Sequence, residues 1–136
     1  MSFLKKLVPI NAKVILEYKP ENVDENQLLK GSVKIESEDA FTAKEIRLMV
    51  RVVEKYQRPK HKGRGTVTDY HPLLLEEIPI AGAFEAVKGG KLEFSFEVKI
   101  PLYTATLSEG SIWTSINAIV NVEGRPDLTM EKTFTM

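Results

Sequence analysis

The chain has 136 residues, 43% of them apolar and 28% charged, and its nineteen basic side chains balance nineteen acidic ones. That length fits one domain with a sizeable core, and the neutral balance points to no polyanionic partner. The absence of cysteine excludes disulfides, thiol catalysis and thiolate metal sites together.

Charge is placed unevenly along the chain. Residues 51–65 carry six Lys or Arg against Glu54 alone, whereas residues 21–39 carry six acids against Lys30 and Lys34. Residues 1–10 lack the apolar core of a secretory signal. No run approaches the roughly 20 apolar residues of a membrane span, so a cytoplasmic protein is expected.

A hydrophobic period of two dictates the elements. Ala12, Val14, Leu16 and Tyr18 share one face of a first strand over 11–19. Residues 20–26 read as a polar, acidic connection. A second strand over 28–36 is interrupted by Gly31, which in a strand signals a bulge or a close backbone approach. Glu38, Asp39 and Ala40 form the next turn.

Residues 43–57 could be read as helix, but Ile46, Leu48, Val50, Val52 and Tyr56 fall on one strand face with Glu45, Arg47, Arg51 and Lys55 opposite. The β-branched Ile46, Val50, Val52 and Val53 favour the strand. A polar hairpin tip over 58–65 follows, then extended chain over 66–70 and 73–80, where Pro79 marks an edge or a strand end. Residues 81–90 form a loop closing on Gly89 and Gly90.

The clearest strand lies over 92–101. There Leu92, Phe94, Phe96, Val98 and Ile100 alternate with Glu93, Ser95, Glu97 and Lys99. A connection over 101–110 leads to a strand over 111–123, and a turn over 124–127 to a last strand over 128–135. Seven to eight strands with almost no helical pattern indicate an all-β, antiparallel sandwich in a single domain, 1–136. The opening segment, 1–10, either packs on the sandwich or extends from it.

Several stretches carry a family resemblance: Leu29-Lys30-Gly31-Ser32-Val33-Lys34-Ile35, Ile46-Arg47-Leu48-Met49-Val50, the run from Gly90 to Pro101, and Gly110-Ser111-Ile112-Trp113-Thr114-Ser115-Ile116-Asn117-Ala118. Together they resemble the arrestin N-terminal domain superfamily, with Phe94, Phe96, Ile100, Pro101 and the Gly110-Ser111-Ile112 strand start as the most specific part. The opening Met1-Ser2-Phe3-Leu4-Lys5-Lys6 is similar to the start of the bacterial sporulation-control branch of that superfamily. The resemblance implies an immunoglobulin-like sandwich and supports the fold more than the function. The chain departs from the family at Glu25-Asn26-Gln27-Leu28-Leu29-Lys30-Gly31, where members commonly carry Pro-Gly-Glu before the glycine. It also has room for one sandwich where arrestins proper pair two, so their receptor-binding switch does not transfer.

Catalytic chemistry finds little support. The two histidines, His61 and His71, fall in loops, and no nucleophile-elbow motif surrounds a serine. Glu76 and Glu77 are neighbours on a strand and point to opposite faces. Glu36, Glu38 and Asp39, with Asp24 and Glu25, would have to gather at one sandwich end to ligate calcium, and their spacing is looser than such sites use. No catalytic residue, metal site or cofactor is expected.

Two candidate surfaces stand out. The first is the basic tip, with Lys55 leading into Arg58, Lys60, His61, Lys62 and Arg64. It is either a solvated hairpin or a site for an anionic ligand or membrane surface. The second is Trp113 with Ile119, on the face opposite Ile112 and Ile116. Their exposure would mark a partner surface, and the alternative is a strand buried on both faces. Nucleic acid is disfavoured, since no recognition motif is present. The expectation is a non-enzymatic protein-binding or scaffolding module of arrestin-like type, using edge strands and the basic loop, with an unidentified protein partner or a second copy on an edge strand. The alternatives are a peripheral membrane or trafficking adaptor for anionic lipid or phosphorylated ligands and, less supported, a hydrolase.

Overall fold

The structure, a computed structural model, describes residues 10–60, 62–107 and 109–135. Eight strands alternate with short turns: β1 (Ala12–Val23), β2 (Asn26–Ser37), β3 (Phe41–Pro59), β4 (Thr66–Ala81), β5 (Phe84–Ala86), β6 (Lys91–Pro101), β7 (Ser111–Val122) and β8 (Leu128–Thr135). They form two antiparallel sheets, a smaller one in the order β1-β2-β6 and a larger one in the order β4-β3-β7-β8, with β5 paired to the start of β3.

The hairpin β1–β2 is longer than its sequence pattern implies. Pairing continues through Pro20 to Val23 opposite Asn26, so the expected acidic connection shrinks to the two-residue turn Asp24-Glu25. Asp24 adopts φ 57°, a left-handed conformation that Asp tolerates better than most residues. Pro20 is accommodated because β1 is an edge strand. Gly31 marks no bulge, since the register runs unbroken on both sides. A side chain there would collide with the Glu17 carbonyl and the Tyr18 Cα, so the glycine permits β1 to approach β2 closely.

β4 likewise runs through both of its prolines. Its pairing with β3 shifts register between Ile46 and Arg47, beside Pro79, and between Val52 and Val53, beside Pro72. These irregularities absorb residues that cannot donate to a ladder.

Leu16, Leu29, Val33, Ile35 and Ile100 from the smaller sheet meet Ile46, Leu48, Val50, Val52, Ile116 and Val120 from the larger, all essentially without solvent exposure. Burial of each such side chain contributes about 1.5–3 kcal/mol. Tyr18 stacks on Phe134 at 5.5 Å where β1 meets β8, and Phe84 on Phe94 at 5.0 Å on the opposite side. Ile10 is buried in the same core, while the rest of the opening segment lies outside the described residues. Among the described residues no helix is long and apolar enough to cross a membrane.

Candidate binding face on the larger sheet

β3 and β7 are central strands, so alternation sends every second side chain outward onto the face of the sheet that no other layer covers. From β3 these are Met49, Arg51, Val53 and Lys55; from β7 they are Trp113, Ser115, Asn117 and Ile119. Register sets Lys55 beside Ser111 and Tyr70, Val53 beside Trp113, and Arg51 beside Ser115 and Leu75.

The face holds two depressions. One depression, about 410 Å³, is bounded by Arg51, Val53 and Lys55 with Tyr70, Trp113 and Thr133. A second, about 500 Å³, shares Arg51, Ser115 and Glu131 with it and continues over Met49, Pro72 and Leu75. Tyr70 and Leu75 are 55% and 68% exposed. Trp113 is half-buried. Its indole N–H donates to the Ser111 hydroxyl at 2.9 Å, and the Lys55 ammonium sits 5.0 Å from its ring centroid, in cation–π range.

The cations of β3 differ in their partners. Arg47 is held by Glu45 at 2.8 Å and Glu77 at 3.8 Å. Arg51 and Lys55 make no ion pair among the described residues. They lie four residues apart on one strand face, about 13 Å at the strand rise, with the apolar Val53 between them. On the floor of the second depression the Asn117 amide oxygen is buried without a donor.

A buried carboxylate fixes the rim. Glu54 points inward from β3, 1% exposed, and accepts the backbone N–H groups of Thr106 and Leu107 at 2.8 and 2.7 Å and the Thr106 hydroxyl at 3.4 Å. The connection between β6 and β7 is thereby tied to β3. Gly110 leaves the necessary space, since a side chain there would collide with the Glu54 carboxylate and approach the Leu107 carbonyl to 2.9 Å.

The residues singled out in sequence are divided by the fold. Lys55 does not belong to the basic tip; it sits on the sheet against Trp113. β3 pairs with β7 only as far as Lys55, so β3 and β4 continue beyond it as a two-stranded arm. Arg58 lies in that arm, bonded to Asp69 at 2.8 Å. The Tyr70 backbone N–H, first, and the Arg58 guanidinium, second, hold the Asp69 carboxyl below the usual carboxylate range. Lys60, Lys62 and Arg64 are exposed at the tip, and His61 lies outside the described residues. Trp113 and Ile119 are both half-buried on the outer face, six residues apart along β7. His71 is exposed on β4, opposite Glu54 in the ladder and not in a loop, and its imidazole makes no hydrogen bond to a described residue.

Asp24 and Glu25 cannot meet Glu36, Glu38 and Asp39, because the whole of β2 separates them, about 35–40 Å at the strand rise. Among the described residues no three acidic or histidine side chains gather as a metal site.

Taken as a whole, the two sheets form an arrestin-like β-sandwich. Among solved structures it is similar to the sporulation control protein Spo0M from Bacillus subtilis, with a TM-score of 0.65 and 17% sequence identity over 92% of this chain. The chain spans about half of Spo0M, 49% of its length, and at that identity the likeness is one of fold. The solution structure of CsgH from R. palustris aligns over 90% of this chain and 92% of its own at 15% identity, but with a TM-score of 0.34 nothing further follows. No family model and no curated protein matches the chain.

Proposed function

We propose that the chain is a non-enzymatic protein-binding module that takes an extended, acidic segment of a partner on the outer face of its larger sheet. The observation that carries this reading is the pair Arg51 and Lys55, cations that make no ion pair among the described residues, flanking Val53 in a depression walled by Trp113 and Tyr70. An extended peptide repeats its side-chain positions at the same rise as β3. Carboxylates four residues apart would therefore match both cations, with an apolar residue between them over Val53. Aromatic and arginine side chains in a depression are the usual anchors of protein interfaces. Spo0M is described as a sporulation control protein, and its fold supports a regulatory role for such a module.

Trp113 is the only tryptophan, so its emission reports on the site. The probe is a blocked pentapeptide with glutamate at its first and fifth positions and leucine, phenylalanine and leucine between. Titration is expected to shift the emission saturably, with affinity at least tenfold weaker for Arg51→Ala with Lys55→Ala. Equal binding of a peptide with glutamine in place of glutamate, or no shift at millimolar peptide, would overturn the reading.

A second reading rests on the tip, where Lys60, Lys62 and Arg64 are exposed at the end of the arm. Juxtaposed cations of that kind suit an anionic membrane surface. Co-sedimentation with phosphatidylserine vesicles that falls with salt, and with the three tip cations changed to Ser, would favour it over the peptide face.

A further inference from the structure

The sandwich has four sheet edges, β1 and β6 on the smaller sheet and β4 and β8 on the larger. An open edge invites strand addition, and folded proteins blunt it with prolines, bulges or inward-pointing charges. β4 has Pro72, Pro79 and two register shifts. β8 turns Lys132 toward the inner face between Met130 and Phe134. β1 contains Pro20, and its side of the sandwich is closed by buried Val14 and Leu16 and by Tyr18 on Phe134.

β6 has none of these devices before its last residue, Pro101. Its eleven residues run without an internal proline or bulge, and its inward positions are all apolar. Beyond its ladder with β2, no β6 backbone group pairs with another described residue. On this side of the sandwich the apolar seal is incomplete: Leu92 and Phe94 of β6 and Leu74, Ile78 and Ile80 of β4 are only half-buried.

The outward residues of β6 say what fits there. They read Lys91, Glu93, Ser95, Glu97, Lys99, the same in both directions. A second β6 laid antiparallel in full overlap pairs Lys91 with Pro101 of the other copy and centres the two-fold axis on Phe96. Glu93 then faces Lys99 of the other copy twice, and Ser95 faces Glu97. Moving each strand one residue from that axis in one direction sets Lys91 against Lys99 and Glu93 against Glu97; in the other direction it sets Glu97 against Glu97. Like charges directly opposite destabilise a ladder, so of these three registers the charge pattern selects the full overlap. Moving each strand a second residue brings opposite charges together again, Lys91 or Lys99 against Glu97, but shortens the ladder, so full overlap also pairs the most residues. Lys99 has reason to seek that partner, since its neighbour across the ladder on β2 is Leu28, not an acid.

We infer that two copies of this chain pair through β6, antiparallel and in full overlap, to give a continuous six-stranded sheet β1-β2-β6-β6-β2-β1. The half-buried seam between β4 and β6 of each copy then meets its equivalent beneath the ladder, an isologous contact as two-fold symmetry requires. The outer face of the larger sheet stays free in both copies.

Sedimentation equilibrium of the full chain, from micromolar to millimolar, tests this. A mass of twice the 15.4 kDa chain is expected at the upper concentrations. Glu93→Lys alone and Lys99→Glu alone should each weaken association at least tenfold, by setting like charges together. Both positions are exposed and outward, and circular dichroism checks that the variants remain folded. The double variant Glu93→Lys with Lys99→Glu restores opposite charges and should recover the dimer. A monomer at every concentration, a dimer indifferent to the single reversals, or failure of the double variant to recover would each overturn the inference.

Discussion

The two sheets share one core but treat the rule of apolar inside and polar outside differently. In the smaller sheet the rule largely holds: apart from Ile15, Val23, Leu28 and the terminal Pro101, the outward positions of β1, β2 and β6 are charged or small and polar, and no charged side chain faces the core. Lys34 and Glu17 pair there at 3.0 Å as an ordinary surface ion pair. The larger sheet breaks the rule in both directions, and apart from the edge residue Lys132 it does so most sharply at one place. Glu54 turns inward from β3 while its neighbours Val53 and Lys55 turn outward to meet Trp113. Stability alone favours the smaller sheet's pattern, because a buried carboxylate and an uncovered indole each cost free energy unless something compensates them. For Glu54 the compensation is inside the chain, in the Thr106 and Leu107 N–H groups. For Trp113 it is only partial, which is why the uncovered face is the candidate site.

The largest effect that would sharpen this contrast comes from the inward exception. Glu54→Ala takes the acceptor from two backbone N–H groups and leaves a cavity where the buried carboxylate stood, and should cost about 2–4 kcal/mol, measured by denaturant unfolding. Glu54→Gln keeps an acceptor for those N–H groups and should cost clearly less. Equal losses from the two would mean that the carboxylate's charge, and not its hydrogen bonding, holds the loop.

The outward exception should behave in the reverse manner. Trp113→Ala removes a half-buried ring and is expected to cost only about 1–2 kcal/mol of stability. Lys34→Ala, its counterpart on the outer face of the smaller sheet, should leave the unfolding midpoint unchanged within error, as exposed ion pairs generally do. Peptide binding, followed here by calorimetric titration because the Trp113 variant lacks the indole signal, should disappear with Trp113→Ala and survive Lys34→Ala. If both variants bound peptide equally, the two outer faces would be equivalent and the contrast would fail.

Alternation alone made most of this fold legible. β6 and β7 declare their inner faces residue by residue, and β8 begins and ends where its pattern does. β1 outran its pattern because edge position makes Pro20 harmless, a property of the sheet and not of the local sequence. β5 was hidden within the expected 81–90 loop, since three residues are too few to display a period. The site was legible in pieces. Trp113 announced itself by facing away from Ile112 and Ile116, but Lys55 was grouped with the basic tip because the two are adjacent in sequence. Only the register of β3 with β7 separates Lys55 from Arg58 and sets it on Trp113. Arg51 is unremarkable until Arg47 is seen paired and Arg51 not. Glu54 did leave a signal, as the one charged residue among the inward positions Ile46, Leu48, Val50, Val52 and Tyr56.

The two sheets should also respond at opposite ends of the pH scale. On the larger sheet's arm, the Tyr70 N–H and Arg58 hold the Asp69 carboxyl below its ordinary value. Its contribution is complete above the unfolded carboxyl value, about 4, and is lost as pH falls through the lower folded one. On the smaller sheet, the hydrogen bond to Glu17, and then its charge, raise Lys34 above its ordinary value. That contribution is complete below the unfolded lysine value, about 10.4, and is lost as pH rises through the higher folded one. Both groups are exposed and solvent-screened, so the effect is local. Amide chemical shifts followed by NMR should move for Gln57 and Thr68 in acid while the β1–β2 ladder holds, and for Glu17 and Ser32 in strong alkali while the arm holds. Movement of the arm well above pH 5, or of both regions together, would mean that these two pairs do not set the local response. The arm is the part that carries Lys60, Lys62 and Arg64, so an acid response through Asp69 and Arg58 is confined to the segment that bears the tip and leaves the Trp113 face in place.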